Sequence, residues 1–336
     1  MASLDPVTGR SVADLKEIVQ LVEDDLARVE MFFEEQVRSD IPLIAEVGRY
    51  LREGGGKRIR PALLLLSCRV SGYRGERAIL LAAVVEFIHT ATLLHDDIID
   101  EATVRRGRRS VNSRWGNDLT VLLGDFLYTK SMSMALSQDN LRILRLLSDV
   151  TLRMIEGEIL EIQRYADLRV TADDHLSIIR RKTADLFSAC LRIGAMLGEA
   201  GEAKERALAS YGLNLGICFQ MIDDLLDLTA DEKVLGKPVA NDLREGKLTL
   251  PAIFTLQRAG AVGLEKLRAV IEDRGFARVP PQEIARLARD CGALDEARSL
   301  AERYAEAARR DLQQFERSPY REALLVLPDF ILARDH

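Results

Sequence analysis

Two short stretches of the sequence concentrate carboxylates in apolar surroundings. The first is "LLHDDIID" at residues 93–100, and the second is "QMIDDLLD" at residues 220–227. In a helix, residues i and i+4 share a face and i+1 lies beside i+4, so each stretch projects its acids as one patch. The six acids are Asp96, Asp97, Asp100, Asp223, Asp224 and Asp227.

Carboxylates clustered in this way indicate a divalent metal site. Like charges at helical spacing repel each other, and the repulsion costs more where the side chains are half buried. A solvated acidic face would explain a single cluster, but both clusters here are embedded in apolar sequence. Oxygen ligands without histidine or cysteine suit Mg²⁺, which usually keeps waters and shares phosphate oxygens. We therefore expect Mg²⁺ and a phosphate-containing ligand.

Basic residues lie in the breaks between apolar segments. The stretch "GGGKRIRP" at residues 54–61 joins a glycine run to Lys57, Arg58 and Arg60, just ahead of a proline suited to a first helical turn. It lacks the GxxxxGK[ST] pattern of nucleotide-binding phosphate loops. In "VRRGRR" at residues 104–109, arginine forks can grip diphosphate oxygens, whereas we expect Arg108 and Arg109 to be solvated. The other candidate cations are Arg105, Arg106, Lys182, Lys237 and Lys247.

Helices are the elements predicted to position these groups. No proline occurs between Pro61 and Pro238, helix formers dominate, and apolar residues recur every three or four positions. Strand signals are weak, and only 5% of residues are aromatic. We expect one all-α domain over residues 13–336, preceded by a polar arm at residues 1–12. Breaks are predicted at residues 52–58, 71–75, 105–110, 165–174 and 235–247.

Composition narrows the class of protein. The chain has 336 residues with 47 basic and 53 acidic side chains, a balance that argues against a nucleic-acid partner. The longest apolar run, residues 78–88, contains Glu86 and is shorter than the roughly 20 residues that span a bilayer. The amino end lacks the features of a signal peptide. The cysteines stand singly and are expected to be reduced core residues in a cytoplasmic protein: Cys68, Cys190, Cys218 and Cys291.

Taken in order, the motifs resemble those of the trans-isoprenyl diphosphate synthases, or polyprenyl synthetases. They are GGGKRIRP, HTATLLHDDIIDEATVRRG, LLGDFLY, KTADLF, FQMIDDLLD and GKPVANDLREGKLTLP. The resemblance covers nearly the whole chain, with one departure at Ala240, where many members have glycine. It implies a single large helical bundle of the isoprenoid synthase type with a central active-site cavity. It also implies a homodimer.

The resemblance implies a role for each matching position. Both aspartate motifs would bind Mg²⁺, roughly two or three ions, while an allylic diphosphate ionises and isopentenyl diphosphate attacks it. The catalytic set is then Asp96, Asp97, Asp100, Lys182, Asp223 and Asp224. Isopentenyl diphosphate is assigned to Lys57, Arg60, His89 and Arg106. The allylic diphosphate is assigned to Arg105, Lys182, Thr183, Gln220, Lys237 and Lys247.

Product length is predicted from the residues that precede the first motif. Shorter-chain relatives often have bulky aromatics four or five positions before the first aspartate, where this chain has Ala91 and Thr92, with Ile88 further down. We expect an open tunnel and a product of the hexaprenyl to decaprenyl kind, with geranylgeranyl diphosphate as the alternative. Release of such a product would involve peripheral membrane contact.

Two other functions have to be weighed. A class I terpene cyclase shares the first aspartate motif, but its second motif usually has another pattern and it has no second diphosphate site. A noncatalytic partner subunit typically loses one or both aspartate motifs, and this chain keeps both. Both alternatives are therefore weaker than the synthase.

Overall fold

The computed structural model describes residues 15–229 and 239–334, and almost every element in them is a helix. The expected arm at residues 1–12 and the candidate Lys237 lie outside the described residues. The first elements are α1 (Leu15–Gln20), α2 (Glu23–Gln36), α3 (Pro42–Glu53), α4 (Ile59–Val70), α5 (Arg77–Ile99), β1 (Val104–Arg105), β2 (Arg108–Arg109), α6 (Val111–Trp115), α7 (Asn117–Leu136) and α8 (Leu141–Gln163). They are followed by α9 (Ala172–Ile179), one π-helical turn (Arg180–Ala184), α10 (Asp185–Leu197), α11 (Glu202–Thr229), α12 (Asn241–Arg244), α13 (Leu250–Asp273), α14 (Pro281–Asp290), α15 (Ala293–Asp311) and α16 (Pro319–Leu332).

Helix α5 forms the centre of the bundle. Its residues from Leu81 to Ile88 are all buried, including Glu86, because the helix is apolar on nearly every face. Its length and composition would also allow α5 to cross a membrane, but 67% of its most apolar window is buried in the protein. This burial is what a core helix requires.

Helices α2, α4, α7 and α10 pack against α5, and one large core extends through most of the bundle. Helix α7 packs along α5, while α10 packs against both α4 and α11, and α11 packs against α15. The core extends from Ile18 near the start of the described chain to Ile331 near its end. The expected all-α bundle is confirmed.

The helices begin and end close to the predicted breaks. Helix α3 ends at Glu53 and α4 begins at Ile59, so the glycine-rich segment lies between them. Asn140 caps α8, and a capping box of Thr171 and Asp174 starts α9. The break at residues 105–110 contains a small β-hairpin, which the helical prediction did not anticipate. Arg106 and Gly107, both with positive φ, form its two-residue turn.

The cysteines are free, as expected. Cys68, Cys190 and Cys218 are buried, whereas Cys291 is partly exposed. Burial raises the pKa of each of the three buried thiols to about 12. They therefore remain protonated at neutral pH and serve as small core residues.

Candidate active site

A cavity of about 720 Å³ opens between α4, α5, α8, α11 and the π-helical turn. It brings together most of the residues selected from the sequence. Those that line it are Lys57, Arg60, His89, Thr92, Asp96, Asp100, Arg105, Arg106, Lys182, Thr183, Gln220, Asp223, Asp224 and Lys247. Asp97, Asp227, Ala91 and Ile88 are buried outside this lining.

The first aspartate motif lies at the end of α5, and its three acids do not all face the same cavity. Asp96 and Asp100 face the cavity, and Lys247 Nζ lies 2.8 Å from Asp100 Oδ1. Asp97, only 2% exposed, accepts a hydrogen bond of 2.6 Å from Arg105 Nε and lines a separate cavity of about 80 Å³. The expectation that all three acids form one patch is therefore wrong for Asp97, because the hydrogen bond from Arg105 holds its carboxylate outside this cavity.

Burial gives Asp96 an unusual ionisation. Desolvation, followed by the negative charge of Glu158, raises the pKa of Asp96 to about 7, although Lys182 opposes the shift. Desolvation also raises the pKa of Asp97, and Arg105 counteracts it. A cation that binds Asp96 would therefore displace a proton at neutral or lower pH.

The second aspartate motif lies on α11, at a different wall of the cavity. Arg334 Nη1 lies 2.7 Å from Asp223 Oδ1. Asp224, only 3% exposed, lies 2.7 Å from His175 Nε2 and accepts a 3.0 Å hydrogen bond from Gln220. Gln220 in turn accepts a 2.9 Å hydrogen bond from Thr183. Two of the residues assigned to the allylic diphosphate are thus linked to this motif, Gln220 directly and Thr183 through Gln220.

Asp227 holds a loop and does not line the cavity. Its Oδ2 accepts a 3.1 Å hydrogen bond from the backbone N–H of Asp242, and its carbonyl accepts one of 2.7 Å from Ala240. Ala240 has a left-handed backbone with φ of 54°. Glycine is the residue that adopts this conformation without strain, which accounts for the glycine in similar sequences.

The basic residues before and within α4 approach the cavity from another side. Arg60 stacks over the Phe187 ring at 5.1 Å, and its buried Nε has no hydrogen-bond partner among the described residues. Burial lowers the pKa of Arg60. A buried guanidinium with an unused donor is suited to an anionic ligand. Arg58, by contrast, is already ion-paired with Glu30 and Glu86.

His89 lies on the α5 face that leads to Asp96 and also borders the cavity. Burial, together with the charges of Arg60 and Arg106, lowers its pKa well below the usual value. The imidazole is therefore neutral at pH 7 and can donate or accept a hydrogen bond without adding charge.

The four arginines of the hairpin contact different neighbours. Arg105 and Arg106 border the cavity, while Arg108 stacks over Tyr50 at 4.2 Å and Arg109 bonds Ser113. Arg109 is exposed as expected. The expectation of a solvated Arg108 is wrong because its guanidinium packs on an aromatic ring.

Lys182 and Thr183 belong to the π-helical turn, a distortion that often occurs at functional sites. Gly157 of α8 lies against this turn, where a Cβ atom would be only 2.8 Å from Arg181 Cβ. The close approach lets Glu158 reach Lys182 Nζ at 2.7 Å, and Glu161 is also ion-paired with it. The carboxylates of Glu161 and Glu158 keep Lys182 charged and raise its pKa.

Sequence reasoning did not select five charged or titratable side chains of the cavity: Glu86, Glu161, His175, Asp242 and Arg334. Glu158 and Glu161 have the i, i+3 spacing of one helix face, a signal that could have been used. His175 follows the start of α9 in the chain but meets α11 only in the folded protein. No local pattern reveals such a contact.

The cavity walls near Thr92 bear on product length. Thr92 lines the cavity with Met154 of α8 and Ile179 of α9. Ala91 and Ile88 are 3% and 1% exposed and belong to the core instead. Trp115 and Met132 pack against the core, and Met134 lies within it.

The donors present fit Mg²⁺. Asp96, Asp100 and Asp223 offer oxygen ligands at two walls of one cavity. Among the described residues, no three histidine, cysteine or acidic side chains form a group that could hold an ion by themselves. Mg²⁺ rarely needs such a cage, since it keeps waters and takes oxygens from phosphate.

Comparison with known proteins agrees with this geometry. The family model described as polyprenyl synthetase matches residues 41–284. Octaprenyl diphosphate synthase of Escherichia coli is 39% identical over 96% of this chain and 99% of its own length. A polyprenyl synthase from Caulobacter crescentus, crystallised with calcium and isoprenyl diphosphate, is 36% identical with a TM-score of 0.92, covering 97% of this chain and 100% of the other. A decaprenyl diphosphate synthase from Rhodobacter capsulatus is 37% identical with a TM-score of 0.91, covering 96% and 100%.

Proposed function

This chain belongs to the polyprenyl synthetase family and is a trans-polyprenyl diphosphate synthase, and we propose that it uses Mg²⁺ to join isopentenyl diphosphate to an allylic diphosphate. The observation that carries the proposal is the single cavity in which acids of both aspartate motifs meet two groups of cations. One cation group is Lys57, Arg60 and Arg106, and the other is Arg105, Lys182 and Lys247.

Different groups of acids and cations are assigned to the two substrates. Asp96, Asp100 and Asp223 would hold roughly two or three Mg²⁺ ions. Bound Mg²⁺ would supply positive charge to the diphosphate that leaves the allylic substrate. Lys182 and Lys247 supply further charge at the same diphosphate, and Thr183 and Gln220 offer it polar contacts. Arg60, whose Nε has no partner in the described part of the chain, and Lys57 would bind the diphosphate of isopentenyl diphosphate.

The reaction needs no enzymic nucleophile. The allylic C–O bond breaks and diphosphate departs with the electron pair, leaving an allylic cation stabilised by resonance. The double bond of isopentenyl diphosphate forms the new C–C bond, and loss of a proton regenerates a double bond. The released diphosphate is the base implied by the family. The protein's residues act by placing fixed charge where charge develops in the transition state.

A long product is the outcome best supported by the relatives and by the cavity. The relatives named above include octaprenyl and decaprenyl diphosphate synthases. Thr92 leaves room below the first motif where a bulky aromatic would block a growing chain. Geranylgeranyl diphosphate is the less supported alternative. A product of this length is a precursor of membrane lipids, and we propose synthesis in the cytoplasm with release at a membrane surface.

The purified chain alone tests the enzymatic proposal. It should convert labelled isopentenyl diphosphate and farnesyl diphosphate into products that chromatography resolves by length. Activity should disappear with EDTA and return with Mg²⁺. Turnover in the presence of chelator would overturn the metal assignment. Absence of product with Mg²⁺ would favour a noncatalytic partner subunit.

A homodimer is proposed from an exposed apolar stripe on α8. Four aliphatic side chains spaced three or four residues apart are 58%, 53%, 51% and 43% exposed: Leu152, Ile155, Ile159 and Ile162. Leu122 of α7, 65% exposed, adds to the apolar surface. A second copy of the chain would bury these residues, as patches of this kind commonly mark protein interfaces.

Solution mass measurement tests the dimer. Ile155→Asp and Ile159→Asp should shift the protein toward monomer in light scattering after size exclusion. Val262→Asp on α13, where valine is 51% exposed, is the matched control and should leave the mass unchanged. A wild-type monomer would contradict the proposal.

A further inference from the structure

His175 lies at one end of a chain of polar contacts that the sequence did not predict, which continues through Asp224 and Gln220 to Thr183. The imidazole is 5% exposed and Asp224 is 3% exposed, and the two meet at 2.7 Å. His175 comes from the first turn of α9, whereas Asp224 comes from the second aspartate motif on α11. The contact therefore links the α8–α9 connection to the metal-binding wall.

Both carboxylate oxygens of Asp224 have a hydrogen-bond partner. Oδ2 faces His175 Nε2, and Oδ1 accepts from Gln220 Nε2 at 3.0 Å. With Nε2 protonated, His175 donates to the carboxylate, and a buried carboxylate depends on such donors to stay in one orientation. The orientation of Asp224 is thus fixed from two sides.

The same chain reaches the predicted allylic site. Gln220 commits its amide nitrogen to Asp224, so its Oε1 atom is turned toward Thr183, whose hydroxyl donates at 2.9 Å. Rotation of Asp224 would release the amide and alter the polar surface offered to a diphosphate. Among the residues that the structure describes, no hydrogen bond or ion pair joins His175 to Lys57 or Arg60, which are assigned to the other substrate.

We propose that His175 is a positioning residue for the allylic half of the site. It acts through Asp224 by holding the carboxylate that orients Gln220 and, through Gln220, Thr183, while Asp223 of the same motif pairs with Arg334. The inference rests on the proposed function, because it presumes that Thr183 and Gln220 meet a diphosphate. We therefore expect loss of His175 to weaken binding of the allylic substrate and of Mg²⁺-diphosphate, with little effect on binding of isopentenyl diphosphate.

Three variants test this role. His175→Phe keeps a ring of similar size but has no donor, and His175→Gln keeps an amide donor. Ile178→Ala, a buried residue of the same helix outside the cavity lining, is the matched control for a loss of packing alone. If His175→Phe does not fold, His175→Ala replaces it.

Two measurements are made on each variant. Titration calorimetry with inorganic diphosphate and MgCl₂ should show about tenfold weaker binding for His175→Phe, the size expected for losing a hydrogen bond to a charged group. Steady-state kinetics should show a similar rise in KM for farnesyl diphosphate and less than about twofold for isopentenyl diphosphate. His175→Gln should recover most of both losses.

Failure of the inference and failure of the proposed function can be told apart. Wild-type protein that does not extend farnesyl diphosphate would refute the function, and the calorimetry would then still decide the role of His175. Equal diphosphate binding by wild type and His175→Phe would overturn the inference. So would equal losses for both substrates, or the same losses in Ile178→Ala, since these are what a purely structural residue would give.

Discussion

Arg105 Nε lies 2.6 Å from Asp97 Oδ1, which turns the middle acid of the first motif away from the cavity that Asp96 and Asp100 line. The carboxylates of Asp96 and Asp97, adjacent in sequence, therefore have different roles. Asp96 is placed to meet a ligand, and Asp97 is placed to hold the arginine that borders the same cavity.

Substitution separates these roles. Asp97→Asn should leave the Mg²⁺ dependence close to wild type and raise the KM for the allylic diphosphate by about tenfold, because Arg105 loses its charged partner. Asp96→Ala should lower kcat by orders of magnitude, since its contribution is felt in the transition state. Steady-state kinetics at several Mg²⁺ concentrations measures both. Near wild-type turnover by Asp96→Ala would refute the assignment of the first motif.

Local pattern accounts for much of this site and fails where contacts join distant segments. The i, i+4 rule placed Asp96 and Asp100 together, and motif resemblance selected Lys182 and Gln220, all of which line one cavity. The helical pattern did not distinguish Asp97 from Asp96 and Asp100, because the direction of the Asp97 side chain depends on Arg105 in the hairpin. Nor did it find His175, because its partner Asp224 is 49 positions further along the chain.

The same limit applies to the fold. Apolar periodicity predicted the helices and the breaks between them, since these depend on neighbouring residues. The hairpin escaped prediction because its strands, Val104–Arg105 and Arg108–Arg109, are only two residues long and carry no alternating pattern. The π-helical turn follows from packing, with Gly157 on one side and Gly216 on the other.

Arg60 is expected to act on isopentenyl diphosphate specifically. Its buried Nε has no hydrogen-bond partner among the described residues, so removing the guanidinium should chiefly weaken binding of isopentenyl diphosphate. Arg60→Ala should raise the KM for isopentenyl diphosphate by about tenfold or more and change the allylic KM little. Arg109→Ala, an exposed arginine nearby in the hairpin, is the control and should match wild type. An unchanged KM for isopentenyl diphosphate in Arg60→Ala would reject the assignment.

The raised pKa of Asp96 predicts how stability depends on pH. Burial raises this pKa from 3.8 to about 7. Between these values the folded protein holds a proton that the unfolded chain has lost. Stability from this group is therefore lost as pH rises from about 4 to 7, and it changes no further above that range.

Asp96→Asn removes the ionisable carboxyl group and with it this loss of stability at higher pH. In EDTA, its advantage in the free energy of unfolding over wild type should be on the order of 1–2 kcal/mol greater at pH 8 than at pH 5. Urea unfolding at the two pH values measures the difference. The same advantage at both pH values would show that Asp96 titrates normally in the folded protein.

Product length should respond to Thr92 and not to Ala91, although both precede the first motif in sequence. Thr92 lines the cavity with Met154 and Ile179, whereas Ala91 is 3% exposed and lies in the core. Thr92→Phe should fill the space below Asp96 and shorten the product while leaving the first condensation intact. Ala91→Phe should instead overpack the core and cost roughly 1–3 kcal/mol of stability. Chromatography of dephosphorylated products and thermal unfolding distinguish the two effects, with Thr92→Ser as the small-residue control. Wild-type protein that stops at farnesyl diphosphate, or Thr92→Phe with an unchanged product, would show that the growing chain does not pass this residue.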